Sequence, residues 1–126
     1  VFYKNINLDL VLKSLTSERA LISSNAASLA ESKQIVKHER FFNTFPKFLE
    51  IVGQAKDWPL EAAIKKLTSV PAEKFNFKNR GLIKDGYVAD LVLLKDGKVN
   101  SVFVSGRLAV KDGQFQNIFA GKILKR

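Results

Sequence analysis

Residues 60–94, LEAAIKKLTSVPAEKFNFKNRGLIKDGYVADLVLL, change texture once, and that change decides the fold. In the first half Leu60, Ala63, Ile64 and Leu67 recur at helical spacing, and Glu61 lies in the first turn, where the helix dipole is positive. Asp57-Trp58-Pro59 starts this helix by placing proline where a missing N–H costs nothing. Pro71 disfavours helical geometry at Val70 and ends the helix, leaving residues 71–75 for one further turn. From Arg80 the period of 3.6 gives way to short runs of Val, Tyr, Phe and Leu punctuated by glycine.

Downstream, residues 87–94, 100–104 and 108–110 read as strands. The stretches at 84–86, 95–98, 105–106 and 111–113 read as the turns between them. Asp-Gly is a strong hairpin signal, and its presence at 96–97 and 112–113 predicts a meander. Upstream, a helix is expected over 45–56, with Thr44 near the cap, Pro46 in the first turn, and Phe45, Phe48, Leu49 and Val52 on one face. Residues 7–15 form another, capped by Asn7, with Asp9 at its positive end and Leu8, Val11, Leu12 and Leu15 at helical spacing. Between them, residues 20–23 read as a brief buried strand opening into a loop, a junction that carries chemistry in α/β barrels. Phe41, Phe42, Phe45, Phe48, Phe75 and Phe77 are expected to fill the core. The fold class is therefore α+β: a helical first half over residues 1–76 and a β-rich meander over 77–126.

Composition sets the outer bounds. With 126 residues and 46% hydrophobic content the chain can bury one core. No apolar run reaches the roughly 20 residues of a membrane helix, and the opening Val1-Phe2-Tyr3-Lys4-Asn5 lacks the order of a signal peptide, so a soluble, cytoplasmic chain is expected. Cysteine is absent, which removes disulfides, thiolate metal sites and a cysteine nucleophile. Methionine is absent too, even at position 1, and the expectation is a chain that begins inside a longer polypeptide. The net charge of +9 is carried by the second half: 8 basic against 7 acidic residues over 1–63, and 13 against 5 over 64–126. The basic residues sit singly among strands and turns, as at Lys84, Lys95, Lys98, Arg107, Lys111 and Lys122. That spacing is the pattern of a solvated face, so no nucleic acid is expected as a partner; a basic interaction or nucleic-acid-binding module is the alternative.

The ordered positions Thr68, Ser69, Pro71, Ala72, Arg80, Gly81, Ile83, Gly86, Ala89, Asp90, Leu91 and Val92 resemble the C-terminal signature of amidohydrolases, a helix ending in T-S-x-P-A and then R-G-x-I-x-x-G-x-x-A-D-L-V. Residues 102–115, VFVSGRLAVKDGQF, are similar to that family's closing hairpin, and residues 121–125 to its G-x-x-L-R/K ending. Upstream, HERFFNTFPKFL (38–49) resembles H-P-R-x-x-G-T-F-P-R-x-L of the N-acyl-D-amino-acid deacylase (D-aminoacylase) branch. His38, Arg40, Thr44, Phe45, Pro46 and Leu49 match, with Glu39 in place of the proline and Asn43 in place of the glycine.

The resemblance implies an enzyme of which this chain is the C-terminal portion: a TIM-like barrel carrying zinc or another divalent metal, and a small β-sandwich assembled from strands of both chain ends. Residues 1–76 would be the last barrel elements and 77–126 the C-terminal share of the sandwich. The expected reaction is hydrolysis of a non-peptide C–N amide bond in a small-molecule substrate, an N-acyl-D-amino acid. The family's metal-binding histidines lie on earlier strands, and a lone His38 cannot make a catalytic zinc site, which needs about three protein ligands. The isolated chain is thus expected to bind no metal and catalyse nothing. Its partner is the remainder of the parent enzyme, and its uncovered apolar faces predict self-association.

One catalytic position of the family falls within the chain. The eighth barrel strand there ends in S-D-G, the aspartate touching the metal and acting as general base; this sequence has Ser24-Asn25-Ala26. An amide can offer a weak oxygen ligand but cannot accept the proton. Three readings stand at Asn25: a degenerate homologue, a substituted base, or a family position that falls elsewhere in this loop; beside them, asparagine after a strand is an ordinary loop residue. His38 and Arg40 are the candidates for binding the substrate's carboxylate. Asp90, if buried, is expected to bond backbone groups rather than titrate, and Arg80 and Gly81 to shape a turn.

Overall fold

The computed structural model describes residues 7–24, 39–55 and 58–124. They form a mixed set of helices and one antiparallel sheet: α1 (Leu8–Thr16), a 3-10 turn (Glu39–Phe41), α2 (Thr44–Gly53), α3 (Leu60–Leu67), α4 (Ser69–Lys74), β1 (Leu91–Lys95), β2 (Lys98–Val104), β3 (Arg107–Lys111) and β4 (Gln114–Phe115). Two compact units divide within α3, between Ala63 and Ile64.

In the first unit α1 begins as its residues dictate. Asn7 is extended, and its Oδ1 accepts the Asp9 N–H at 2.8 Å, filling one of the donors a helix start leaves open. Asn7→Ala should cost about 1 kcal/mol, read as a lower urea midpoint with the slope unchanged. The Thr16 hydroxyl donates to Leu12 O at 2.8 Å, and the Ser17 N–H closes the last turn on Lys13 O and Ser14 O.

Asn43 links the 3-10 turn to α2. Its backbone N–H donates to Glu39 O at 2.9 Å and its Nδ2 to Glu39 Oε1 at 2.6 Å, while Thr44 Oγ1 donates to Arg40 O at 2.8 Å. Phe48 and Val52, four residues apart on α2, are buried, and Trp58 meets the Phe48 ring edge-on at 6.0 Å. The exposed Lys47–Glu50 pair, 3.0 Å, raises the lysine pKa, first through the hydrogen bond to Glu50 and then through its charge. What it adds to stability is present below the ordinary lysine pKa and lost as pH rises through the raised value.

In the second unit α3 ends at Thr68, whose φ of −124° and ψ of −85° leave the helical region; its hydroxyl donates back to Ile64 O at 2.8 Å. Pro71 does not end the helical run. It occupies the third position of α4, where a helix has no use for its N–H, so the break falls three residues before it. Asn76, at φ +55°, and the Phe77 N–H donated to Ala72 O at 2.7 Å close α4.

The sheet is a meander in the order β1-β2-β3-β4, with Leu91 opposite Phe103, Val102 opposite Val110 and Val110 opposite Phe115. Irregularities lie between Leu93 and Leu94 and between Val102 and Phe103. Each connection is a two-residue turn with both φ values positive: Asp96 51° and Gly97 73°, Ser105 50° and Gly106 77°, Asp112 50° and Gly113 75°. That is the turn geometry whose twist matches a right-handed strand pair.

Several expectations are corrected. Residues 20–23 form no strand, and no described segment lies in register with them; without a neighbouring strand to take its N–H and C=O groups, an apolar run has no reason to become one. The first strand starts at Leu91, since residues 87–90 turn their bonds elsewhere. Of the aromatic residues expected in the core only Phe48 is buried. Phe42, Phe45, Phe75 and Phe77 are exposed, Phe41 is half-buried, and Leu60 and Ile64 of α3 are exposed while Ala63 is fully covered. No described helix is long and apolar enough to cross a membrane.

Candidate functional site

Of the three residues singled out for chemistry, Asn25 and His38 lie outside the described residues. Arg40 sits in the 3-10 turn, its guanidinium 5.9 Å from the centre of the Phe41 ring, a distance at which a cation is attracted to the ring face. Among the described residues no three of His, Cys, Asp and Glu gather as a metal would require. They therefore supply no ligand set for a divalent cation.

The structure does bring the signature of residues 68–92 together. Gly81 has φ +81°, and a Cβ there would lie 2.7 Å from Ala72 Cβ, 2.8 Å from Thr68 O and 2.9 Å from Ser69 Cα. Only glycine lets the chain pass that close to the start of α4. Arg80, beside it, pairs through Nη1 with Asp90 Oδ2. The other oxygen of the same carboxylate accepts the Ser105 N–H at 2.7 Å, and the neighbouring Ala89 O accepts the Gly106 N–H at 2.9 Å. At the base of the same loop the Val88 N–H donates to Asn79 O at 2.9 Å, and Lys84 lies over the Tyr87 ring at 5.8 Å.

Asp90 does bond a backbone group, the Ser105 amide, although it is exposed rather than buried, and Arg80 and Gly81 shape the start of the loop. The Ser105 amide as a partner of Asp90 was not legible: fifteen residues separate them, and Ser105-Gly106 signals only its own turn. The arrangement is architectural: both oxygens of Asp90 are taken by other parts of the chain.

The comparisons with known proteins agree with the signature. Residues 10–109 match the model of the amidohydrolase family. D-aminoacylase of Alcaligenes xylosoxydans xylosoxydans is 32% identical over 108 residues, covering 71% of this chain and 22% of that protein. N-acyl-D-aspartate deacylase of the same organism is 38% identical over 63 residues, covering 49% of this chain and 13% of that protein. A solved structure of D-aminoacylase superposes with a TM-score of 0.65 at 32% identity, covering 71% of this chain and 22% of that one. A second, superposing equally well, concerns that enzyme's binuclear metal centre, activated by one metal and attenuated by the other. The chain spans between 13% and 22% of the length of these two curated relatives. With the family model matched over residues 10–109, which include the whole of the signature at 68–92, the chain belongs to the amidohydrolase family.

Proposed function

We propose that this chain is the C-terminal share of a metal-dependent amidohydrolase that hydrolyses the C–N amide bond of N-acyl-D-amino acids, and that the chain alone is inactive. The observation that carries the reading is the likeness to D-aminoacylase, in sequence and in structure, over 71% of the chain. In this reading residues 1–76 are the last elements of a barrel and 77–126 one share of a β-sandwich. The metal, zinc or another divalent cation, would be held by residues outside the chain and would there lower the pKa of the attacking water. Asn25 occupies the position of the family's catalytic aspartate, and His38 and Arg40 face the substrate's carboxylate.

The exposed apolar residues of β1 support a sheet completed by more polypeptide. Val92, Leu93 and Leu94 alternate between its two faces and all are exposed, whereas a run that is apolar on both faces is the pattern of a strand covered on both. On its own the chain would then self-associate, and sedimentation of a strict monomer at high concentration would count against this.

The test is hydrolysis by the full-length polypeptide, loaded with a divalent metal, of N-acetyl-D-amino acids against their L isomers. Release of free amino acid from the D series and not the L series is expected. Equal turnover of both series, or of neither, would sink the substrate assignment.

A further inference from the structure

Residues 79–90 leave the second unit's helices and return to its sheet as a closed loop, and the bonds that close it are of two kinds. One is neutral, Val88 N–H to Asn79 O and Gly106 N–H of the β2–β3 turn to Ala89 O. The other is ionic: Arg80 meets one oxygen of Asp90, whose other oxygen holds the Ser105 amide of the β2–β3 turn. Among the described residues this is the one hairpin turn whose backbone is bonded by a remote carboxylate; Asp112, in the β3–β4 turn, takes the side chain of Asn100 at 3.2 Å. A two-residue turn with both φ values positive already satisfies its strands, so the carboxylate serves the loop rather than the hairpin. Loops whose ends meet in this way behave as units.

We infer that Asp90 and Arg80 form an ionic latch, with Asp90 as the positioning residue that shuts the 79–90 loop onto the β2–β3 turn while Gly81 seats its start on α4. Losing either charge opens the loop and leaves the hairpin paired. The inference rests on this geometry alone and is independent of the proposed reaction. The side chains of Arg80 and Asp90 are 20% and 38% exposed, so the latch is reached by water and screened by salt.

Amide hydrogen exchange on the full chain tests it. In Arg80→Gln the Val88 and Ser105 amides should exchange about tenfold faster, the size expected of a charge-assisted bond discounted for its exposure, while the β2–β3 ladder keeps its rates. Arg80→Lys should fall between, since a point charge replaces the planar fork. At about 1 M salt, where the screening length is about 3 Å, the same two amides should quicken in the unaltered chain and not in Arg80→Gln. The latch is overturned if the two amides stay within about twofold of their original rates, below the loss of one ordinary hydrogen bond. Equal acceleration throughout the ladder would also overturn it, because that is global unfolding.

Discussion

Asn25→Asp in the full-length polypeptide should raise the rate of amide hydrolysis by about two to four orders of magnitude, the usual contribution of a positioned general base. The two side chains differ in what they can do with a proton. An asparagine amide has a carbonyl oxygen that accepts hydrogen bonds and an NH2 that donates them, but it cannot take up a proton near neutral pH. An aspartate at the same place can accept the proton of an attacking water and hand it to the leaving amine, and its charged oxygen is a far better ligand for a hard cation. The gain corresponds to about 3 to 5 kcal/mol of barrier. It should appear in kcat, because the proton moves only in the transition state. Asn25→Ala should leave the low starting rate where it is. If the aspartate variant is folded, metal-loaded and no faster, Asn25 does not occupy the base position, and Ser24-Asn25-Ala26 is an ordinary loop. If no version hydrolyses anything, family membership describes ancestry and a binding or structural role becomes the better account.

Gly81→Ala should lower stability by about 2 to 5 kcal/mol. Part of this, about 1 to 2 kcal/mol, is the cost of a Cβ in left-handed geometry; the rest, about 1 to 3 kcal/mol, comes from pushing a methyl group into a filled space. Two of the three atoms the new Cβ would meet are backbone atoms at the start of α4, so no side-chain rotation relieves the contact. A fall in Tm of at least about 6 °C follows for a chain of this size. Gly86→Ala is the control: its φ is +80° and nothing lies within 4 Å of the added Cβ, so only the conformational cost of about 1 to 2 kcal/mol should be seen. Equal losses at the two positions in thermal unfolding would show that the close approach of Gly81 to α4 does not matter.

The parts of the fold legible in the sequence are those whose causes are local. The first helix, with its Asn7 cap, and the turns at 96–97, 105–106 and 112–113 each follow from two to four adjacent residues, and the structure places them as read. What could not be read depends on distant partners. Residues 20–23 have the composition of a strand, but a strand exists only beside another. The aromatic residues around α2 have the composition of a core, but only Phe48 is covered within its own unit. β4 is two residues long and too short to carry a period. In the candidate site, the close fit behind R-G and the carboxylate behind A-D are now physical, although the motif alone specified only their order. Arg40 could be picked out, but its neighbour Phe41 read as core rather than as a ring beneath a cation.

The three tight connections of the meander also bear on how the chain folds. Each joins strands adjacent in sequence, so the sheet forms through short loop closures that cost little entropy. Hairpins of this kind close in about 1 to 10 μs, and a topology dominated by near-neighbour contacts folds faster than one that must wait for remote segments to meet. The local pairing of residues 91–115 thus needs no remote segment to begin, whereas the Arg80–Asp90 contact joins residues ten apart and the Asp90–Ser105 bond residues fifteen apart.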